Sequence, residues 1–138
     1  MASGVDVDSE CLNVFQDLKL KKKYAYIVYK LSDDMKQIVI DQAVEKGTYE
    51  EFIKSLPKDD CRWAVYDFVY NTSDGERHKI LFYSWSPDTA RIKSKMVYAA
   101  SKDALRKKCD GVFTEIQCTD LSEVAFQTVH DKVNRMSA

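Results

Sequence analysis

The chain has 138 residues, of which 45% are hydrophobic and 31% charged. This composition is typical of a globular domain and excludes a disordered chain. No apolar run approaches the ~20 residues that cross a bilayer, and the polar start does not resemble a signal peptide. We therefore expect one domain over residues 1–138, not an integral membrane protein, in the cytoplasm and with access to the nucleus.

The formal net charge of −1 hides two segregated charge patches. Residues 1–18 contain four acidic residues and no basic one, whereas residues 91–108 contain seven basic residues and a single acid, Asp103. Such a separation favours a partner that is attracted electrostatically.

The four cysteines have neither a CxxC pair nor a metal-ligand spacing with His78 or His130. Three of them stand among apolar neighbours in predicted elements. We expect reduced, buried thiols and no metal site.

The first half of the chain predicts two helices and two strands. Hydrophobic residues at helical spacing predict a helix over residues 9–19. Aromatic and β-branched residues predict strands over 24–31 and 37–44, joined by a polar turn. Thr48 and Glu51 form a capping-box pattern that opens a short helix.

The second half begins with a predicted hairpin. Residues 61–70 are apolar on both alternating faces, which indicates a central strand covered on both sides. Asp74 and Gly75 are a strong hairpin signal before a return strand over 78–85. The remaining predicted elements are a long helix from Asp88 or Thr89 to Cys109, a strand over 113–118 and a last helical region over 120–135.

This order of elements predicts an α/β domain of the α+β type. A mixed sheet lies between helices on both faces, with antiparallel pairing at its centre. Several small domains would fit that description, so the fold class alone does not give a function.

No catalytic constellation is visible in the sequence. The two histidines stand far apart and each lies among charged neighbours, and the four glycines are isolated turn residues rather than a phosphate loop. We expect a protein that is not an enzyme and needs no cofactor.

The long helix carries a basic stripe. On a helix that advances about 100° per residue, four basic residues fall within about 60° of one another: Arg91, Lys95, Lys102 and Arg106. The side predicted to pack on the sheet comprises Val97, Ala100 and Ala104, with Met96 and Leu105 beside them.

Two interpretations of this stripe compete. A solvated face is the commoner reason for a lysine-rich helix, but such faces usually intersperse acidic residues for pairing. Charge of a single sign favours an acidic protein groove or an anionic lipid head group. Nucleic acid fits poorly, because the chain is slightly acidic overall and the stripe lacks stacking aromatics.

The residues of this helix and its lead-in, WSPDTARIKSKMVYAASKDALRKK, resemble the actin-binding helix of the actin-depolymerising factor/cofilin family. Further matches are SGV at residues 3–5, DLKLKKKY from Asp17, YDFVY from Tyr66 and the closing TDLSEVAFQTVHDKVNR. The resemblance covers essentially the whole chain in the family's order.

The resemblance implies a five- or six-stranded sheet between two pairs of helices. It also implies a monomer that binds monomeric and filamentous actin and severs or depolymerises filaments. The long helix would enter a cleft of actin, a helix-in-groove mode, with a flexible segment at residues 1–6 packed beside it.

Carried over by position, the resemblance implies two actin-binding surfaces. The monomer surface, also used on filaments, comprises Ser3, Gly4, Val5, Lys93, Lys95, Met96, Lys102, Asp103, Asp120 and Glu123. The filament surface, used only on filaments, comprises Arg77, Lys79, Asp131, Lys132 and Arg135.

Regulation is implied at two further places. Phosphorylation of Ser3 would add negative charge beside an acidic actin surface and repel it. Phosphoinositide head groups would compete for the candidates Arg106, Lys107 and Lys108.

Other functions stay open at this point. Coactosin and glia maturation factor share the architecture, but the former does not sever and the latter acts on the branching complex. A signalling module that binds phosphoinositides through the basic helix is a further alternative.

Overall fold

The computed structural model describes residues 4–137. Six strands form one mixed sheet in the order β1-β3-β2-β4-β5-β6. The elements in chain order are β1 (Asp6–Val7), α1 (Ser9–Lys21), β2 (Tyr26–Leu31), β3 (Gln37–Val44), α2 (Tyr49–Ser55), β4 (Arg62–Thr72), β5 (Gly75–Trp85), α3 (Ile92–Arg106), β6 (Thr114–Cys118), α4 (Leu121–Val124) and α5 (Phe126–Ser137).

The four central strands pair antiparallel and the two edge strands pair parallel. β3, β2, β4 and β5 form the antiparallel centre, while β1 pairs parallel with β3 and β6 pairs parallel with β5. This topology confirms the predicted mixed sheet with an antiparallel core.

Helices cover both faces of the sheet, and each face has its own core. α1 and α3 pack on one face and α2, α4 and α5 on the other. Along β4, Trp63 and Val65 enter the first core, whereas Ala64, Tyr66 and Phe68 enter the second. Burial on alternate faces confirms that β4 is a strand covered on both sides.

The β4–β5 hairpin extends beyond the rest of the sheet. β2 pairs with β4 only from Trp63 to Tyr66, and β6 pairs with β5 only from Leu81 onward. The distal part is therefore a two-stranded ribbon that turns just before Gly75, whose φ of 113° favours glycine.

Three elements differ from the sequence prediction. β1 was not predicted, since two residues are too short to show a strand pattern. α3 begins at Ile92, because the Ala90 N–H donates to the Pro87 carbonyl in a turn that precedes the helix. The last helical region is two helices, separated where the Val124 carbonyl accepts the Tyr49 hydroxyl (2.7 Å).

The predicted inner side of α3 is correct only in part. Leu105 is buried and Val97 packs against the first core, as expected, whereas Ala100 and Met96 are exposed. The other buried residues of the helix are Ser94, Tyr98 and Ser101. Tyr98 anchors this side, since its ring lies 4.4 Å from that of Trp63 and its hydroxyl accepts the Leu31 N–H at 2.9 Å. The small serines let the helix approach the sheet closely.

All four cysteines are buried and form no disulfide, which confirms the prediction of core thiols. Burial raises the pKa of Cys11, Cys109 and Cys118 to about 12. Within residues 4–137, no helix is long and apolar enough to span a bilayer.

Candidate functional site

The outward face of α3 is apolar at its centre. Ile92 is 75% exposed and Met96 66% exposed, one helical turn apart. Ala99, Ala100 and Asp103 continue this exposed crest toward the end of the helix. A partner that receives α3 would therefore meet hydrophobic side chains first.

The predicted basic stripe lies on one flank of this crest, and most of it is engaged within the molecule. The Lys95 ammonium donates to the Asp88 carbonyl at 2.7 Å. Lys102 and Arg106 both pair with the Glu115 carboxylate, each at 3.1 Å. The stripe as a whole is therefore not presented to a partner, since three of its four members are engaged within the molecule and Arg91 alone is exposed.

Other cations on α3 and just beyond it remain available. Lys93 is exposed beside the crest, and Lys107 and Lys108 are exposed at the end of the helix. No hydrogen bond or ion pair engages their ammonium groups among residues 4–137. These cations supply the positive charge that the crest itself lacks.

The beginning of the described chain is fixed close to α3. Val5 is 2% exposed and belongs to the core that also holds Tyr98. The Asp6 N–H donates to the Lys36 carbonyl at 3.0 Å, which extends the sheet by β1. Gly4 is exposed, and the predicted site residue Ser3 lies outside the described residues.

Asp120 and Glu123 form the start of α4. Hydrogen bonds from the Ser122 hydroxyl (2.6 Å) and the Glu123 N–H (3.1 Å) lower the pKa of Asp120. The hydroxyl and the N–H of Thr119 lower the pKa of Glu123 in the same way. Both carboxylates are therefore charged helix caps with a structural role of their own.

The second predicted surface joins the ribbon to α5. Arg77 and Lys79 line a cavity of about 210 Å³ together with Asn134 and Ser137 of α5. The Tyr70 and Ser137 hydroxyls are 2.9 Å apart and connect the two elements. The structure thus places the predicted ribbon residues beside α5, although the cavity lining does not include the predicted α5 members Asp131, Lys132 and Arg135.

The cations of this surface differ in how strongly they are engaged. Arg77 lies 3.7 Å from Asp74, and the Lys79 ammonium lies 4.5 Å from the centre of the Phe113 ring. Arg135 is exposed, and no pairing of its guanidinium is found in the described part of the chain.

The other two predicted members of the filament surface lie on α5 near β6. Asp131 accepts the Gln127 amide at 2.8 Å. The Lys132 ammonium donates to the Glu115 carbonyl at 3.1 Å. Lys132 therefore contacts the same residue, Glu115, as Lys102 and Arg106 of α3. Glu115 lies on the border between the two predicted surfaces.

Sequence reasoning missed three residues of this region. Ile92 could have been found, because it stands four residues before Met96 on the same helix face. Leu121, 60% exposed at the start of α4, carries no pattern that sets it apart. The role of Glu115 cannot be recognised from the sequence, because its partners are separated from it by 9 to 17 residues along the chain.

Comparison with known proteins adds independent information. The model of the family described as cofilin/tropomyosin-type actin-binding protein matches residues 4–134. The cofilin of Ogataea parapolymorpha is 53% identical over 96% of this chain and 94% of its own length. That of Mycosarcoma maydis is 54% identical over 98% of both chains.

A solved structure agrees with the sequence matches. The crystal structure of Streptomyces griseoflavus cofilin superposes with a TM-score of 0.91 at 45% identity, covering 96% of this chain and 98% of that one. The sheet order, the two-sided helix layers and the matches over nearly the full length agree, and the chain therefore belongs to the cofilin/tropomyosin-type actin-binding protein family.

Proposed function

We propose that the chain binds monomeric and filamentous actin and disassembles filaments by severing and depolymerisation, as a protein of the cytoplasmic actin cytoskeleton. Membership of the family and the exposed Ile92–Met96 crest support this function most directly. The work is done by binding energy rather than by catalysis: preference for one filament conformation over another shifts the filament population.

The monomer surface is centred on α3. The crest residue Met96 enters the partner's cleft, while Lys93 and Lys95 contribute charge beside it. The segment at Ser3, Gly4 and Val5 flanks α3. The remaining proposed members of the monomer surface are Lys102 and Asp103 on α3 and Asp120 and Glu123 at the start of α4. Mutation of each residue measures its contribution to binding.

The filament surface is formed by Arg77 and Lys79 on the ribbon and by Asp131, Lys132 and Arg135 on α5. Arg77 and Lys79 share one cavity with Asn134 and Ser137 of α5, so the ribbon lies beside α5, which supports a common contact. A molecule that uses both surfaces bridges two neighbouring subunits of a filament.

Filament sedimentation, single-filament microscopy and titration of monomeric actin test the proposal together. We expect co-sedimentation, an increase in filament breaks and saturable monomer binding. Filaments that are bound but never shorten would leave a non-severing relative of the coactosin type as the better function. No binding to either form of actin would refute the proposal.

We also propose that phosphoinositide head groups bind at Arg106, Lys107 and Lys108. Two of these side chains are exposed lysines without an intramolecular partner among residues 4–137. Vesicles containing phosphatidylinositol 4,5-bisphosphate should bind the wild type more strongly than a variant with Lys107→Ala and Lys108→Ala. A Lys46→Ala variant, which removes an exposed lysine near the end of β3, is the control; equal binding by all three proteins would refute this site.

A further inference from the structure

Four charged side chains converge where α3, β6 and α5 meet. The Glu115 carboxylate receives the Lys102 ammonium on one oxygen and the Arg106 Nε–H on the other. The Lys132 ammonium donates to the carbonyl of the same residue. Glu115 is the only acid paired with these cations in the described part of the chain, so the cluster has three positive charges and one negative charge.

The cluster is partly shielded from water. The exposed fractions of the Lys102, Arg106 and Glu115 side chains are 22%, 32% and 30%. Charge interactions in such a place are stronger than between fully exposed groups. Arg106 also donates to the Cys109 carbonyl at 3.3 Å, which fixes its direction further.

We propose that Glu115 is a specificity-determining residue: it acts as an internal counterion that weakens, without abolishing, the binding of mobile polyanions to this cationic cluster. A phosphate-rich ligand must displace the Glu115 carboxylate from Lys102 and Arg106 before it can pair with them. A protein partner that docks on the crest of α3 has no such requirement. Glu115 thereby favours binding to a protein of complementary shape over binding to a flexible polyanion.

The preference for actin in this inference rests on the proposed function, but the effect on polyanions does not. Glu115→Gln removes the negative charge and keeps the size of the side chain. The bond from Lys132 to the backbone carbonyl is unaffected, so the packing of α5 on β6 stays in place. The net charge of the cluster rises from +2 to +3.

The test measures binding to vesicles containing phosphatidylinositol 4,5-bisphosphate at several salt concentrations, in parallel with filament sedimentation. We expect Glu115→Gln to bind vesicles about fivefold more tightly, with a steeper salt dependence, since one charge near an anionic surface contributes about that factor. Filament affinity should not rise. Glu115→Asp, which keeps the charge, should restore the low vesicle affinity.

Two controls show whether the effect acts through the cluster. Glu45→Gln makes the same change in net charge at an exposed glutamate at the end of β3 and should leave vesicle binding unchanged. Adding Lys102→Ala and Arg106→Ala to Glu115→Gln should abolish the gain. Vesicle binding by Glu115→Gln equal to that of Glu45→Gln would overturn the inference, whereas a wild type that binds no actin would refute only the proposed function.

Discussion

Met96 exposes two-thirds of its surface in the middle of α3, where a soluble protein would normally place a polar residue. Ile92, one turn earlier, is still more exposed. Neither side chain contributes to either core, so their apolar surface is available to a partner. Methionine suits such a position, because its flexible thioether adapts to an irregular groove.

We predict that Met96→Ala weakens binding to monomeric actin by about 1–2 kcal/mol, or roughly 5- to 30-fold, because an anchor side chain is no longer buried in the complex. Thermal unfolding should be unchanged. Leu20→Ala removes a comparably exposed residue from α1 and serves as the control. The same affinity for Met96→Ala as for this control would contradict the role of the crest.

A charge at Ser3 would enter the same contact. Ser3 belongs to the proposed monomer surface, in which the described residue Val5 is fixed in the core that also holds Tyr98 of α3. We predict that Ser3→Glu lowers monomer affinity by about 1 kcal/mol, the size of one close repulsion between solvated charges. Titration should show no change for Ser3→Ala; equal loss in both variants would point to the hydroxyl rather than to charge.

At the scale of elements, α2 shows how closely a local sequence pattern can specify local structure. The Thr48 hydroxyl accepts the Glu51 N–H at 3.1 Å, and the Glu51 carboxylate accepts the Thr48 N–H at 3.2 Å. The capping box was predicted from these two residues alone, and it is formed. Its helix then places Tyr49 against the Val124 carbonyl, where α4 ends.

We predict that Thr48→Ala lowers the free energy of unfolding by about 1 kcal/mol, because the N-terminal N–H groups of α2 lose their acceptor. Urea denaturation measures this change. Thr48→Ser keeps the hydroxyl and should retain most of the stability. A loss as large for serine as for alanine would mean that the methyl group, not the cap, is responsible.

The ribbon and α5 lie on the side where the filament surface is proposed. We predict that Arg77→Ala with Lys79→Ala leaves monomer affinity unchanged and weakens filament binding by about 1–3 kcal/mol, the range for hydrogen bonds to charged groups. Sedimentation and monomer titration of the same preparation separate the two effects. Equal losses on both forms of actin would contradict the division into two surfaces.

The sequence predicts most elements but not how the long helix is oriented. Strong local turn and capping signals, such as Asp74–Gly75 and the capping box, correctly located the hairpin and α2. The orientation of α3 was predicted only in part: Val97 and Leu105 pack against the first core, but the buried side also contains Ser94 and Ser101 in place of larger apolar residues. Tyr98 determines the rotation through Trp63 and Leu31, and contacts so distant in sequence leave no local periodicity.

The same reason limits prediction of the site. The position of Met96 followed from resemblance to the family, and its exposure agrees with a contact role. The pairing of Lys102 and Arg106 with Glu115 could not be anticipated, because it depends on how β6 returns beside α3. A charge pattern along one helix does not reveal which charges are neutralised by another element.

At the scale of the whole molecule, two cores contain many groups that ionise only at high pH. Burial raises the pKa of Cys11, Cys109 and Cys118 to about 12, that of Tyr66 to about 12 and that of Tyr83 well above its ordinary value. In the unfolded chain these groups ionise near their ordinary values of about 9 to 10. At pH values between the unfolded and the folded pKa of these groups, the folded state therefore binds more protons than the unfolded state.

We predict that stability is constant with respect to these groups below about pH 8 and falls as the pH rises above about 9. In that range the unfolded chain binds fewer protons than the folded one, so the slope of unfolding free energy against pH is negative. Urea denaturation at pH 8 and at pH 10.5 measures the difference. Equal stability at both values would contradict the burial of these thiols and hydroxyls.

Both ends of the described chain lie against a proposed contact surface. Gly4 precedes a strand that is joined to the sheet close to α3, and Ser137 is hydrogen-bonded to Tyr70 within the ribbon. A fluorescent protein or affinity tag fused on the N-terminal side of Gly4 would obstruct the monomer surface. One fused on the C-terminal side of Ser137 would obstruct the filament surface. Labelled molecules for live imaging should therefore carry the dye at an internal exposed position such as Lys46, reached by a cysteine substitution, since the four natural thiols are shielded in the cores.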